Sequence, residues 1–472
     1  MKNVLEQCAQ AEMQFSAEAV HDLRTSLRRC RSLADGMRVF DRNPGWKKMR
    51  RAGKVLFSSL GELRDTQVLL EWVERLAPDD DPARKTLTFF LKAREQELKN
   101  TAAGILRKFD RAQWQDWASK LPARAANIPL DSPVFAHVAL ERWTEAHNLH
   151  IRALRNRTNV AFHDLRVGLK RLRYTVENFL PSLHASWGKD LKELQDALGE
   201  VHDLDVLWET AVRIRAFATK VERAQWRERI QYERSKRIHA YRLKMVGQGS
   251  LWGVWRAALP HADELRAIGL ERFRLWASFL DPRLGDLRRA ATLALQLYDG
   301  LPLEGILPAH SRDSLRSVLH ASALMHNVGR AKSGSGYHKT SARLIGKITP
   351  PLGWTASELQ TAALVARYHR GALPSQTQPN FAALSGHRKL TVQLLAGILR
   401  LACACIAADN EHKITSLEVE SASPVLALRA EGYNESSSVA ERIAAARYLL
   451  ELTYRRPILM LPSKEKARAR AA

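Results

Sequence analysis

The chain contains a duplication, and nothing else in it narrows the fold as far. His-Asp-Leu-Arg-Thr-Ser-Leu-Arg-Arg-Cys-Arg at 21–31 returns as His-Asp-Leu-Arg-Val-Gly-Leu-Lys-Arg-Leu-Arg at 163–173, with seven of eleven positions identical. Further on, Leu-Gly-Glu-Leu-Arg-Asp-Thr-Gln-Val-Leu at 60–69 returns as Leu-Gly-Glu-Val-His-Asp-Leu-Asp-Val-Leu at 198–207, six of ten identical. The two matches keep their order at offsets of 142 and 138 residues. They mark a repeated unit of two motifs, the second copy four residues shorter between them.

The surrounding sequence is helical in character. Most segments are rich in Ala, Leu, Arg, Glu and Lys with apolar residues at helical spacing. Breaks fall at Asn43-Pro44-Gly45, Ala77-Pro78-Asp79, Ile128-Pro129, Leu180-Pro181 and 247–250. A second block starts near Asp281-Pro282. Strand-like alternation appears only at 414–420 and 425–430, which predicts a hairpin.

On a helical wheel, His163, Arg166, Lys170 and Arg173 form one stripe about 80° wide. Leu165, Leu169, Leu172 and Val176 form an apolar stripe beside it. In the first copy His21, Arg24, Arg28 and Arg31 take the same angles, with Leu23 and Leu27 on the apolar side. Each stripe is followed by a second basic pair at i,i+3 spacing, Arg51 with Lys54 and Lys189 with Lys192. Like charges at such spacing weaken a helix by about 0.2–0.5 kcal/mol per pair, and an ordinary solvated face interleaves carboxylates. Here few are interleaved, and the arrangement occurs twice. Two such stripes face to face would make a cationic groove that needs an anion to neutralise it.

Composition agrees. The 472 residues carry a net charge of +24, spread along the chain: residues 1–250 hold 45 basic and 32 acidic side chains. That balance calls for an acidic partner. Arginine suits phosphate through its planar two-donor fork, lysine acts as a point charge, and histidine adds a donor whose charge follows pH. Single-strand binders interleave aromatic residues for base stacking, whereas only Tyr174 lies near either stripe, at an edge. Phosphate without bases is the better fit, and nucleic acid is disfavoured. Four cysteines make no disulfide framework, the first residues form no apolar leader, and the apolar run 394–408 contains Arg400 and is too short to span a bilayer. A cytoplasmic protein with no membrane partner is expected.

The four motif segments resemble the CHAD family, the conserved histidine α-helical domain, over residues 1–245. The resemblance implies two pseudo-symmetric four-helix bundles around a basic cavity, with inorganic polyphosphate as partner. Carried over by position, it implies ligand contacts from His21, Arg24, Arg28, Arg31, Arg51, Lys54, His163, Arg166, Lys170, Arg173, Lys189 and Lys192. His202 joins them; its counterpart in the first copy is Arg64, and either residue could touch phosphate or pair with Asp203 or Asp65.

Further on, Leu319 to Ala331, then Gly336-Tyr337-His338-Lys339, then Ala366-Arg367-Tyr368-His369-Arg370-Gly371, resemble the HD-type helical domain of the exopolyphosphatase/guanosine pentaphosphate phosphatase family, over about 283–462. A working HD site holds metal through a His, an adjacent His-Asp pair and a later Asp, which lower the pKa of a bound water. Here the pair is His326-Asn327, and spacing puts Asp286 and Cys403 at the outer positions. Only His326 survives, so no metal, cofactor or catalytic residue is expected. His338, Lys339, His369 and Arg370 remain as secondary phosphate-binding candidates. No P-loop or other Gly-rich phosphate loop is present.

The expected architecture is mainly α: a duplicated helical bundle at 1–245, a helical connector at 246–282, a degenerate HD-like domain at 283–413, a small α+β hairpin module at 414–462 and a basic tail at 463–472. The expected function is non-catalytic polyphosphate binding at polyphosphate granules. Two alternatives stand beside it: a metal-dependent phosphohydrolase acting through the C-terminal block, and a nucleic-acid-binding accessory protein.

Overall fold

The computed structural model describes residues 1–281, 283–406, 414–422, 424–435 and 438–463. The expected basic tail therefore lies outside the described residues, apart from Ser463. The fold is mainly α, and the chain divides into two compact units, Met1–His261 and Ala262–Ala472.

The first unit runs through α1 (Lys2–Met13), α2 (Ala17–Met37), α3 (Pro44–Leu76), α4 (Pro82–Arg107) and α5 (Arg111–Ala125). It continues through α6 (Pro133–Asn156), α7 (Asn159–Phe179), α8 (Pro181–Arg213), α9 (Lys220–Met245) and α10 (Leu251–Ala257). The duplication is visible in the lengths. Helices α2 and α7 both have 21 residues, α3 and α8 both 33, and α4 and α9 both 26. Their starts are built alike. Ser16 and Thr158, 142 residues apart, each accept a hydrogen bond from the amide three residues on, and Pro44 and Pro181 open α3 and α8.

Apolar faces hold the halves together. Leu23 and Leu27 of α2 and Leu165, Leu169, Leu172 and Val176 of α7 are all buried. Across the halves, Phe179 of α7 lies on Gly36 of α2 so closely that a Cβ there would stand 2.2 Å from the ring. The ring cannot retreat, because it stacks on Phe135 at 4.4 Å, which in turn meets Phe40 edge-on. Two polar contacts complete the seam: Asn178 donates to Ser32 at 2.9 Å, and Arg29 pairs with Glu177 at 3.3 Å.

The second unit contains α11 (Leu265–Ser278), α12 (Leu284–Gly300), α13 (Arg312–Met325), α14 (Tyr337–Ile345), α15 (Ala356–Tyr368), α16 (Pro379–Ala382), α17 (Gly386–Ile406) and α18 (Ser438–Tyr454). Strands β1 (Leu417–Ala422) and β2 (Val425–Ala430) pair antiparallel, as the hairpin predicts. A third strand, β3 (Ile458–Pro462), pairs parallel to β2 with Leu426 opposite Ile458. Nothing local in 458–462 signals that pairing; it arises because α18 returns the chain to the open edge of β2. The stretch expected as a connector is shared out, α10 packing on α6 and α9 in the first unit and α11 on α13 in the second.

The apolar run that begins at Leu394 belongs to a longer helix, α17. By length and composition α17 is long and apolar enough to cross a membrane. Its apolar surface is instead spent against α12, α15 and α18, as befits the central helix of a core.

Gly36→Ala should lower the stability of the first unit by about 1–3 kcal/mol, because the methyl displaces a stacked ring. Gly104→Ala on α4, whose Cβ would meet nothing within 4 Å, should be neutral or stabilising. Thermal unfolding of the two variants checks this.

Candidate polyanion-binding site

The seam between α2 and α7 sets two basic stripes side by side. Arg24 lies 3.7 Å from Asp65 of α3 and close enough to Arg28 and Arg166 for their charges to act on it; burial, more than they, pushes its guanidinium down. Lys170 is affected further. Burial first, then Arg166, Arg24 and Arg28, push its ammonium down to about 8. The second copy thus contributes Arg166 and Lys170 to the same cluster as Arg24 and Arg28 of the first.

Aromatic rings hold these cations: Tyr174, which the wheel places at the edge of one stripe, and Phe57, which it does not show. The Arg31 guanidinium lies 4.3 Å from the centre of the Phe57 ring, and Arg24 stands over the same ring at 5.5 Å. Arg28 and Arg173 stand over Tyr174 at 5.4 and 6.0 Å. Phe57 comes from α3, so a wheel drawn on α2 could not show it. Ring faces covered by guanidinium groups position cations and are not free to stack bases.

The remaining predicted contacts lie around this centre. His21 and His163 are exposed near the starts of α2 and α7, and the His163 and His202 rings are 5.3 Å apart. Burial, with Arg166, His163 and Lys170, pushes His202 down to about 4, so it is a neutral imidazole at physiological pH. Arg173 lies 3.9 Å from Glu177. Arg51, Lys54 and Lys189 are exposed, and Lys192 pairs with Asp196 at 2.8 Å. None of these four is among the charges that act on Arg24 or Lys170, so they stand outside the centre of the cluster.

Between α3 and α8 opens a cleft of about 270 Å³ that Arg166 and Lys170 enter from α7. Arg64 and Arg75 line it too, together with Glu71, Asp196, Glu200 and Asp203. These acids, and Arg75, were absent from the expected contacts. Asp65 and Asp203 carry a signal all the same, since both are the invariant aspartate of the second repeated motif.

In the second unit the end of α13 carries His326, buried, with Nδ1 2.7 Å from the Ala323 carbonyl. That bond places the proton on Nδ1 and leaves Nε2 to accept from Cys403 Sγ at 3.5 Å. Burial pushes the Cys403 thiol up to about 12 and His326 down to about 4, so both are neutral. His369 is buried beside them, ring centres 4.7 Å apart, and is likewise held uncharged by burial. Asp286 is exposed, and the buried carboxylate that acts on His326 is Asp281. Among the described residues no three His, Cys, Asp or Glu side chains are grouped to hold a metal ion. The donors do not fit an HD metal: Asn327 replaces a charged ligand, and the free nitrogen of His326 faces a protonated thiol.

Around this neutral centre gather cations. Arg330 and Arg370 both donate to the Tyr337 hydroxyl, at 3.0 and 3.3 Å. Arg400 donates to the Gly371 carbonyl, and its Nη1 is buried without a partner. Burial depresses His338, and Arg367, Lys339, Arg370 and Arg400 depress it further. Among the described residues none of these five cations, Arg330 included, pairs with a carboxylate. Gly329 makes the arrangement possible: a Cβ there would meet the Tyr337 carbonyl at 2.2 Å, and its absence lets Arg330 reach the ring.

Comparison with known families coincides with these two centres. Residues 3–212 match the family model of the CHAD domain, and residues 286–434 match that of Ppx/GppA phosphatase, domain III. The chain thus carries one segment similar to a CHAD domain and a second similar to Ppx/GppA domain III. No curated protein matches the chain. Both domains point to polyphosphate-related function, and domain III alone is a non-catalytic part of its phosphatase family. The CHAD match ends at the last turn of α8, so α9 and α10 complete the second half outside it. Within the matched CHAD segment the half-buried cations at the centre of the cluster come from α2 and α7.

Because the Lys170 ammonium is held down to about 8, the free CHAD domain loses that charge as pH rises through this value. A bound anion favours the charged form, so affinity for a phosphate polymer should fall between about pH 7 and 9. Lys170→Arg should flatten that fall, as measured by binding at intermediate pH values.

Proposed function

We propose that the protein binds inorganic polyphosphate without hydrolysing it, through the cations of α2 and α7 and the cleft beside them. The observation that carries this is the half-buried cluster of Arg24, Arg28, Arg166 and Lys170, drawn from both copies and only partly neutralised by Asp65. Like charges brought together and partly withdrawn from water gain free energy from an anion placed among them. A polymer with one charge on every phosphorus, and no sugar or base between, meets that need over the length of the seam. Arg51, Lys54, Lys189 and Lys192 then serve as outer contacts that guide the chain in, with His21, His163 and His202 as hydrogen-bond donors. The domain III cations Arg330, Lys339, Arg367, Arg370 and Arg400, with His338, form a second phosphate-holding surface, while His369, expected among them, is buried behind it. Residence in the cytoplasm at polyphosphate granules follows from this reading.

Affinity should fall linearly on a log–log plot against salt, with a slope that drops by about 0.7–0.9 for each phosphate contact removed. Arg24→Glu and Arg166→Glu should each weaken binding by about 2 kcal/mol or more, while Arg223→Glu on α9 should change little. Either substitution on the seam should cost most of the affinity, because one chain spans both stripes. Equal loss at all three sites would mean the charge acts diffusely and the seam is not the site.

Incubated with polyphosphate and Mg²⁺ or Mn²⁺, the protein should release phosphate only at background, and His326→Ala should not alter that. Metal-dependent release abolished by His326→Ala would make the phosphohydrolase reading correct instead. Competition by single-stranded DNA at equal charge should be weak; strong competition would favour the nucleic-acid reading.

A further inference from the structure

We propose that Asp203 is itself a ligand contact, a carboxyl that takes up a proton as a phosphate polymer enters the cleft and then donates its O–H to a phosphate oxygen. The inference rests on the polyphosphate reading above.

Four carboxylates line the cleft, and three are already occupied. Glu71 pairs with Arg64 at 3.0 Å, Asp196 with Lys192 at 2.8 Å and Glu200 with Arg237 at 2.6 Å. Asp203 alone has neither an ion pair nor a hydrogen bond among the described residues. The duplication sharpens the point. In the first copy Arg24 and Asp65 stand 3.7 Å apart, but the equivalent pair, Arg166 and Asp203, is not closed. Arg166 Nε is buried with no partner. The cation and the carboxylate that would close the second pair both line one cleft instead, unpaired with each other.

An ionised Asp203 would repel a phosphate at that place, whereas a protonated one would donate to it. Its surroundings favour the proton. Helix α7 presents Arg166 and Lys170, α3 presents Asp65 and the Arg64–Glu71 pair, and α8 itself adds Asp196, Glu200 and the neutral His202. From α9, Arg237 is taken up by Glu200 and Glu233, while Arg24 and Arg28 of α2 act on Lys170. Burial outweighs Arg166 and Lys170, and with Asp65 and Glu200 it already pushes the carboxyl up to about 6. An entering polyanion adds negative charge and drives the carboxyl higher. The proton comes from solvent, one per occupied site, and no bond in the polymer breaks.

The test is calorimetric titration of the full-length protein with polyphosphate near pH 7, in buffers of different ionisation enthalpy, which counts protons taken up. Wild type should take up protons on binding. Asp203→Asn keeps the shape and a donor without the charge, so its proton uptake should fall, its affinity near pH 7.5 should rise several-fold, and its pH dependence above about pH 6 should flatten. Asp203→Ser should behave the same way and guards against a folding defect peculiar to one variant. Unchanged uptake in both variants would overturn the proposal. So would binding weakened as much as by Arg166→Gln, since Asp203 would then serve only to position Arg166. If wild type bound no polyphosphate, the reading beneath the inference would fail, a result distinct from either of these.

Discussion

Everything in the first unit depends on packing two like-charged helices side by side. Each buried leucine on the inner faces of α2 and α7 contributes about 1.5–3 kcal/mol, while each repulsive pair along a stripe costs only about 0.2–0.5 kcal/mol. Apolar burial therefore decides where the helices go. The cations are carried to the seam by a force indifferent to their charge. The result is a fold whose stability and whose unsatisfied electrostatics have the same origin, the stack of Phe40, Phe135 and Phe179 around Gly36.

The molecule tempers that repulsion in three physical ways. Aromatic faces from Phe57 and Tyr174 support guanidinium groups, Asp65 supplies one partial counterion, and burial lowers the tendency of Lys170 to stay charged. All three are incomplete, and each leaves the cluster able to gain from an anion. Domain III reaches a similar condition by another route. Its buried histidines and Cys403 are held neutral, so the charge of the site resides in the arginines around Tyr337. A place where an HD protein would concentrate positive charge in a metal ion instead concentrates it in guanidinium groups.

Much of this could be read from the chain. Helical periodicity and Pro-Gly breaks are local, so the helices, their starts at Pro44 and Pro181 and the antiparallel hairpin follow from neighbouring residues alone. The duplication shows the pseudo-symmetry, and the repeated spacing shows which faces are cationic and which are apolar. The resemblance to HD domains likewise puts Asn327 where a metal-binding aspartate would be expected.

Tertiary structure decided whatever depends on residues distant in sequence. Phe57 lies on α3 and meets Arg24 and Arg31 only when α3 folds against α2. Spacing put Asp286 at the degenerate site, yet the chain turns so that Asp281 is buried there and Asp286 meets solvent. Strand β3 exists because β2 offers an open edge, and α17 is apolar because other helices enclose it. The same holds for Asp203: its motif is repeated faithfully, but only three-dimensional packing closes the pair at Asp65 and leaves it open at Asp203. Sequence determines which side chains share a helical face, because that is set by periodicity; which faces meet, and which charges are left without a partner, is set by the packing of whole helices.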